Sequence, residues 1–554
     1  MPSKDKRMKK NLFVFLIVCM LCVALMACAG TPSTPNEGQS NQNTDVVTPQ
    51  PDDGNSDVAS EDEIQWPQDN VRNWYEVFVY SFFDTNNDGV GDLKGVTQKL
   101  DYIKDMGFSG IWLMPIHPSP TYHKYDVTDY YAVDSAYGSL ADLDELVAGA
   151  HERGIKVILD LVVNHTSDSH PWFRAACDYI RSTGHVGGEY GEYYNFVTGN
   201  ATGYSPVSGT SYYYESRFWS GMPDLNLDST VVRDKITDIM RYWMVDHGVD
   251  GFRLDAVTSY YTGEVDKNVA FLKWLNDTAK SIKEDCYIVG EAWLGSDSAI
   301  NAYYNSGADS FFLFTGAQGT GELASDVKTE SGAAFGEWLL SLQNTYTSGY
   351  LAPFLGNHDT MRPASFMPGE AATKMAGGLL SMMNGDIFVY YGEEIGMLSK
   401  DGANSDPRKR IAMKWSNRSM YEGLCYTTPE GIKVNADSYR YDGVAEQLQD
   451  PDSILSYYKQ AMYVRNLYPA ISRGTVEYFG EGQSNYVCVL RKTYGEESIT
   501  IVINLDSEWE QQVTLPAQLG SLALKQTLLT DNSQKVTLAN GVLTMPAYSI
   551  AILR

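Results

Sequence analysis

The sequence predicts an α/β fold: a (β/α)8 barrel with an inserted domain after its third strand and a C-terminal antiparallel β-sandwich. Three observations carry this. Eight short apolar runs alternate with longer segments of helical periodicity, the pattern of a parallel sheet buried on both faces. One Tyr-, Gly- and Ser-rich stretch breaks that rhythm after the third run. The tail changes to period-two alternation, which marks antiparallel strands.

The elements follow in chain order. Residues 1–28 read as a secretion signal of the bacterial lipoprotein type: MPSKDKRMKK is basic, NLFVFLIVCMLCVALM is apolar, and Cys28 follows small Ala27 as the residue to be lipidated. Residues 29–65 hold almost no large apolar side chains and are rich in Pro, Ser, Asn, Asp and Gly, so they read as a disordered tether. The barrel is expected over 66–165 and 221–470, its strands in WYEVFVYSF, FSGIWLMPI, IKVILDLVV, GVDGFRLDAV, CYIVGEAW, DSFFLFT, YLAPFLGN and GDIFVYYG. Stretches such as LADLDELVAGAHERG place apolar residues three and four apart, as amphipathic helices do. The insertion spans 166–220, with GGEYGEYYNFV and SGTSYYYESRF, and the sandwich spans 471–554, with SNYVCVLRKTY and SITIVINL.

Composition narrows the function classes. A formal net charge of −28 argues against nucleic acid, because a phosphate-binding surface needs an excess of Lys and Arg. Abundant tyrosine and tryptophan suit the apolar faces and hydroxyl edges of sugars. Beyond the signal, Cys177, Cys286, Cys425 and Cys488 are scattered without CxxC spacing, so neither zinc nor a disulfide framework is indicated.

In such a barrel the working residues sit at the C-terminal ends of the strands. The fourth run ends on Asp255, the fifth on Glu291 and the seventh on Asp359. Two carboxylates about 5 Å apart are what a retaining glycosidase needs, and a third can stabilise positive charge at the sugar ring. Arg253, two residues before Asp255, points to the same face and can keep that carboxylate ionised. His165 after the third run and His358 beside Asp359 are donors suited to sugar hydroxyls.

The clusters LDLVVNH, GFRLDAVTS, GEAW and GNHD, with MPDLN at Met222–Asn226, resemble the short motifs of the α-amylase family of glycoside hydrolases, family 13. The resemblance runs from about Asn73 to Arg554 and includes YHKYDVTDYY, YYGEEIGM and DPRKRIAMKW. It implies that Asp255 is the nucleophile, Glu291 the general acid/base and Asp359 the transition-state stabiliser. It further implies that Tyr125, Asp126, His165, Arg253, His358 and Arg362 contact substrate. Thr258 and Ser259 stand where many relatives carry a Lys-His pair, and MPDLN resembles a branch containing extracellular α-amylases.

The activity expected is endo-hydrolysis of α-1,4 links in starch and maltodextrins. A neopullulanase or α-glucosidase activity on pullulan, cyclodextrin or short oligosaccharides is the alternative, and a non-catalytic starch-binding lipoprotein is an alternative of another class. The partners expected are an α-glucan and a lipid membrane, with the chain a monomer held extracellularly on the cell membrane or outer membrane.

DTNNDGVGD, Asp84 to Asp92, spaces Asp84, Asn86, Asp88, the Val90 carbonyl and Asp92 as a calcium loop does, but Gly95 replaces the closing Glu. It follows a core strand instead of a helix, so the expectation is a structural Ca²⁺ and not a sensor. The resemblance implies that relatives bind an ion in this loop, and that Asn164 and Asp224 match ligands of a second calcium site.

Overall fold

The structure, a computed structural model, describes residues 64, 66–399, 405–418, 423–427, 429–431 and 439–554. The expected signal segment with Cys28 lies outside these residues, as does the expected tether apart from residue 64.

All eight apolar runs are strands of one parallel sheet. The first three are β1 (Asn73–Val77), β2 (Gly110–Leu113) and β3 (Lys156–Leu161). The insertion carries the short strands β4 (Phe196–Thr198), β5 (Tyr204–Pro206) and β6 (Tyr212–Glu215). The barrel resumes with β7 (Gly251–Leu254), β8 (Tyr287–Gly290), β9 (Ser310–Phe312), β10 (Tyr350–Ala352) and β11 (Ile387–Tyr390). The sheet order is β10-β9-β8-β7-β3-β2-β1-β11, and a parallel bridge from Phe354 to Phe388 closes the ring.

Side chains alternate along each strand, so two kinds of residue share the interior. Trp74 stacks on Tyr287 with ring centroids 4.8 Å apart, and Phe312 meets Phe388 at 4.9 Å. Two residues further along the same strands come Glu76 after Trp74 and Glu291 two beyond Val289, while Asp160 is in register with Arg253. Aromatic rings fill the barrel below, and charged groups crown it. Gly251 is required where it stands: its φ is +150°, and a Cβ there would lie 1.9 Å from the Tyr287 carbonyl of the neighbouring strand.

The insertion leaves after β3, and its two ends are stitched by antiparallel bridges from His165 to Asp224 and from Tyr194 to Leu225. It contains a helix, Pro171–Thr183, which buries Phe173, Ala176, Cys177 and Ile180, and an antiparallel sheet of order β4-β6-β5. The barrel helix Thr230–Arg241 follows.

The C-terminal strands are β12 (Thr475–Tyr478), β13 (Val487–Tyr494), β14 (Glu497–Asn504), β15 (Gln511–Thr514), β16 (Leu524–Leu529), β17 (Thr537–Ala539), β18 (Val542–Met545) and β19 (Ser549–Leu553). They form antiparallel sheets of order β12-β13-β14-β19-β16 and β15-β18-β17. The five-stranded sheet is apolar on both faces. Val487, Val489, Val502, Ala551 and Leu553 pack with Val513, Leu543 and Met545 of the smaller sheet. The intervening Cys488, Leu490, Ile501, Ile503, Ile550 and Ile552 belong to the main core with the barrel.

A buried cation fastens that contact. Lys492 Nζ, on β13, donates to Met382 O, Asn384 Oδ1 and Ile471 O, each at 2.7 Å, which uses all three ammonium protons. Replacing it by methionine keeps the volume but leaves three buried acceptors unmatched. Lys492→Met should therefore lower stability by about 2–4 kcal/mol in denaturant titrations, with turnover per folded molecule unchanged.

Candidate active site

One guanidinium organises the mouth of the barrel. Arg253, at the end of β7, is fully buried and lies against the Trp112 ring. Its Nη1 donates to Asp160 Oδ1 at 2.8 Å and Oδ2 at 3.0 Å and to Asp255 Oδ1 at 2.7 Å, while its Nη2 lies 3.0 Å from Glu291 Oε1. Carboxylates from β3, the end of β7 and the end of β8 thus converge on one cation. Glu291 Oε2 accepts from the amide of Ala256 at 3.0 Å. Ala256 has φ +47°, a left-handed turn that a non-glycine residue adopts at some strain, directly after Asp255.

The opposite wall is built on His358. Its Nδ1 lies 2.6 Å from Glu76 Oε1, and its Nε2 lies 3.0 Å from Asp359 Oδ2 and 2.7 Å from the Tyr125 hydroxyl. Tyr125 stacks on the imidazole and donates to Asp160 Oδ2 at 3.1 Å. Arg410 Nη2 reaches Asp359 Oδ1 at 2.6 Å, and Lys409 Nζ donates to the Asp359 carbonyl at 2.6 Å.

This arrangement separates the carboxylates by proton affinity. Burial pushes Glu291 up to about 7; Arg253 opposes the shift, and Asp255 and Asp359 reinforce it. Burial acts to raise Asp359 as well, but His358 and Arg410 overcome it and hold that carboxyl well below the usual range. Burial lowers His165, so its ring is neutral at pH 7, and its Nε2 is buried without a protein partner. Phe218, edge-on to His165 at 5.3 Å, and Trp293, stacked on Phe314 at 4.7 Å, are each about half exposed, at 50% and 48%. They offer apolar faces on the insertion side and just beyond Glu291.

Of the residues expected at the site, Asp255, Glu291, Asp359, Arg253, His358 and Tyr125 are joined by these contacts, with His165 at their edge. Two expectations need correction. Arg362 donates Nε to Lys409 O at 3.1 Å and Nη1 to Tyr391 O at 2.5 Å and lies against the rings of Tyr390 and Tyr391. Two of its guanidinium nitrogens are held by backbone carbonyls while Nη2 is buried without a protein partner, and Arg410 is the arginine beside Asp359. Asp126 is buried and accepts on Oδ1 from the hydroxyls of Ser119 and Thr121, so it braces its own loop. Asp160, Glu76 and Arg410 were not foreseen. Acidic residues inside the apolar runs WYEVFVY and KVILDL were the available signal for the first two.

Asn164 and Asp224 meet, Nδ2 to Oδ1 at 3.3 Å, and Asp224 Oδ2 accepts from the Arg217 amide at 3.2 Å. Bonded to each other, they brace the base of the insertion. In the Asp84–Asp92 loop, Asp84 accepts from the amides of Asn86, Asn87 and Gly89, and Asp92 from those of Thr85 and Gly95. The loop is strapped down by Tyr426, whose hydroxyl donates to Asn87 O at 2.6 Å, and by the Thr427 amide on Gly89 O. Asp84, Asp92 and Asp88 all act to raise the buried Cys425 thiol, after burial itself. Among the described residues no three acidic, histidine or cysteine side chains could hold a metal ion alone. Asn86 and the Val90 carbonyl would have to complete the shell.

Comparison with known proteins agrees with this geometry. The family model "Alpha amylase, catalytic domain" matches residues 76–474. The chain is 37% identical to Alpha-amylase 3 of Dictyoglomus thermophilum over 445 residues, covering 78% of this chain and 84% of that protein. It is 32% identical to an oligo-1,6-glucosidase of Heyndrickxia coagulans, covering 73% of this chain and 86% of the relative. Among solved structures, Eubacterium rectale Amy13B superposes with a TM-score of 0.83 at 42% identity, over 88% of this chain and 96% of that one. The α-amylase of H. orenii gives 0.74 at 33% identity, over 87% and 99%.

A buried carboxyl raised to about 7 would set a pH limit on any step in which it gives a proton. With α-glucan substrate, kcat/KM should hold at lower pH and fall as pH rises through about 7, where Glu291 loses its proton. Glu291→Gln should lower kcat by about 10²- to 10⁴-fold, measured as reducing ends released, while glucan binding persists.

Proposed function

The chain belongs to the alpha-amylase family of glycoside hydrolases, and from that premise we propose that it cleaves α-1,4-glucosidic bonds within starch and maltodextrin chains, with retention of configuration. The observation that carries this reading is the shared grip of Arg253 on Asp255 and Glu291. It favours the short carboxylate spacing, about 5 Å, that a double displacement uses.

In the first step Asp255, oriented by its hydrogen bond from Arg253, attacks the anomeric carbon while Glu291 gives its proton to the departing glycosidic oxygen. The bond to the leaving chain breaks as the glycosyl ester to Asp255 forms. Glu291, now a carboxylate, takes a proton from water, the water attacks the same carbon, and Asp255 leaves. Asp359 stays anionic throughout and faces the positive charge that develops at the ring. His165 and His358 bond sugar hydroxyls, and Tyr125 supplies a ring for stacking.

The half-exposed Phe218 and Trp293 support an extended substrate, because they provide apolar faces outside the reacting centre. The relatives named alpha-amylase point the same way. A second reading, release of single glucose units from short or α-1,6-linked oligosaccharides, draws on the relatives named oligo-1,6-glucosidase and glucan 1,6-alpha-glucosidase. Cys28 would anchor the enzyme by lipid at the cell surface, where a polymer is met before uptake. The Asp84–Asp92 loop would hold one Ca²⁺, stiffening the turn after β1.

Early products from soluble starch decide the mode: a spread of maltooligosaccharides is expected, and glucose alone would overturn the endo reading. Calcium is checked separately. EGTA should lower the melting temperature by several degrees, with recovery on adding Ca²⁺, and Asp84→Asn together with Asp88→Asn should abolish that response.

A further inference from the structure

His358 is enclosed by acceptors on both ring nitrogens. Nδ1 faces the Glu76 carboxylate at 2.6 Å, from β1. Nε2 faces the Asp359 carboxylate at 3.0 Å and the Tyr125 hydroxyl at 2.7 Å. That hydroxyl spends its own proton on Asp160 Oδ2, so its oxygen is left to accept from the imidazole. The remaining neighbours are the Trp112 ring at 5.5 Å and Arg410, whose Nε donates to the His358 carbonyl at 3.1 Å. Glu76 itself is buried at 1% exposure, with the His358 ring as its ion-pair partner.

We infer that Glu76 is a positioning residue for glycoside cleavage, which holds His358 as an imidazolium with one proton on Glu76 and the other directed at Asp359 and the sugar. A neutral imidazole would turn a ring-nitrogen lone pair onto an oxygen of one of the two facing carboxylates, an unfavourable contact in a buried site. Burial acts to lower His358, yet Asp359 and Glu76 together lift it to about 9. The site thereby gains a cation that offsets Asp359, and the sugar meets a charged donor, which bonds more strongly than a neutral one.

The inference rests on hydrolysis at Asp255 and Glu291 and is indifferent to endo or exo mode. Neutron diffraction of the parent protein at neutral pD should show deuterium on both His358 nitrogens; one bare nitrogen would overturn the inference whatever the substrate proves to be. In Glu76→Gln the neutral amide no longer demands a cation. Turnover of maltooligosaccharides near pH 7 should fall roughly tenfold and recover as pH is lowered toward 5, a far larger rise than the roughly twofold that Glu291 protonation gives the parent over the same range. A variant profile parallel to the parent's at every pH, with unchanged melting temperature, would also overturn it. Failure of the parent to cleave α-glucans would instead count against the proposed function and leave the neutron result intact.

Discussion

The structure depends on a buried positive charge at the mouth of the barrel. Arg253 is closed off from solvent, and a guanidinium in that position is tolerable only when anions surround it. Asp160 and Asp255 accept hydrogen bonds from it and the Glu291 carboxyl faces it, from three adjacent strand ends. The dependence runs both ways: without Arg253, three carboxyl groups would crowd a dry pocket with no cation between them. The chemistry needs one protonated and two ionised acids in the same few ångströms. The His358–Arg410 pair keeps Asp359 anionic, while burial and the neighbouring carboxylates keep a proton on Glu291 against the pull of Arg253.

Much of this was legible in the sequence. All eight apolar runs became barrel strands because strands buried on both faces must be apolar nearly throughout, and that signal survives without an alignment. Asp255, Glu291 and Asp359 were legible because they end such runs. What failed was side-chain direction in irregular segments. Arg362 lies three residues from Asp359 and turns into the backbone around Tyr391, whereas Arg410, 51 positions away, makes the contact. Separation along the chain carries no such information outside regular elements. The helix Pro171–Thr183 was obscured by its Tyr- and Gly-rich surroundings, although Phe173, Ala176, Cys177 and Ile180 have helical spacing.

Asp160 and Glu76 mark a further boundary. Both sit within β-strands on the interior face, Glu76 beside Tyr75 and Asp160 between Leu159 and Leu161. A single acidic residue in an apolar run is ambiguous, since its partner is contributed by a distant strand. Asp160 meets Arg253 across 93 positions, and Glu76 meets His358 across 282. Only closure of the barrel brings them together.

The apolar character of both faces of the C-terminal sheet governs how the molecule can be made. β19 lies between β14 and β16, with Ile550 and Ile552 turned toward the barrel and Ala551 and Leu553 toward the smaller sheet. A nascent chain stopped short of residue 549 would therefore leave two open strand edges and an uncovered barrel flank. β1 meanwhile waits for β11, which emerges some 300 residues later. Synthesis from the N-terminus cannot bank a finished barrel early. The catalyst becomes a closed, water-excluding object only once nearly its last strand has been delivered, so partial chains are substrates for chaperones and proteases and not partial enzymes.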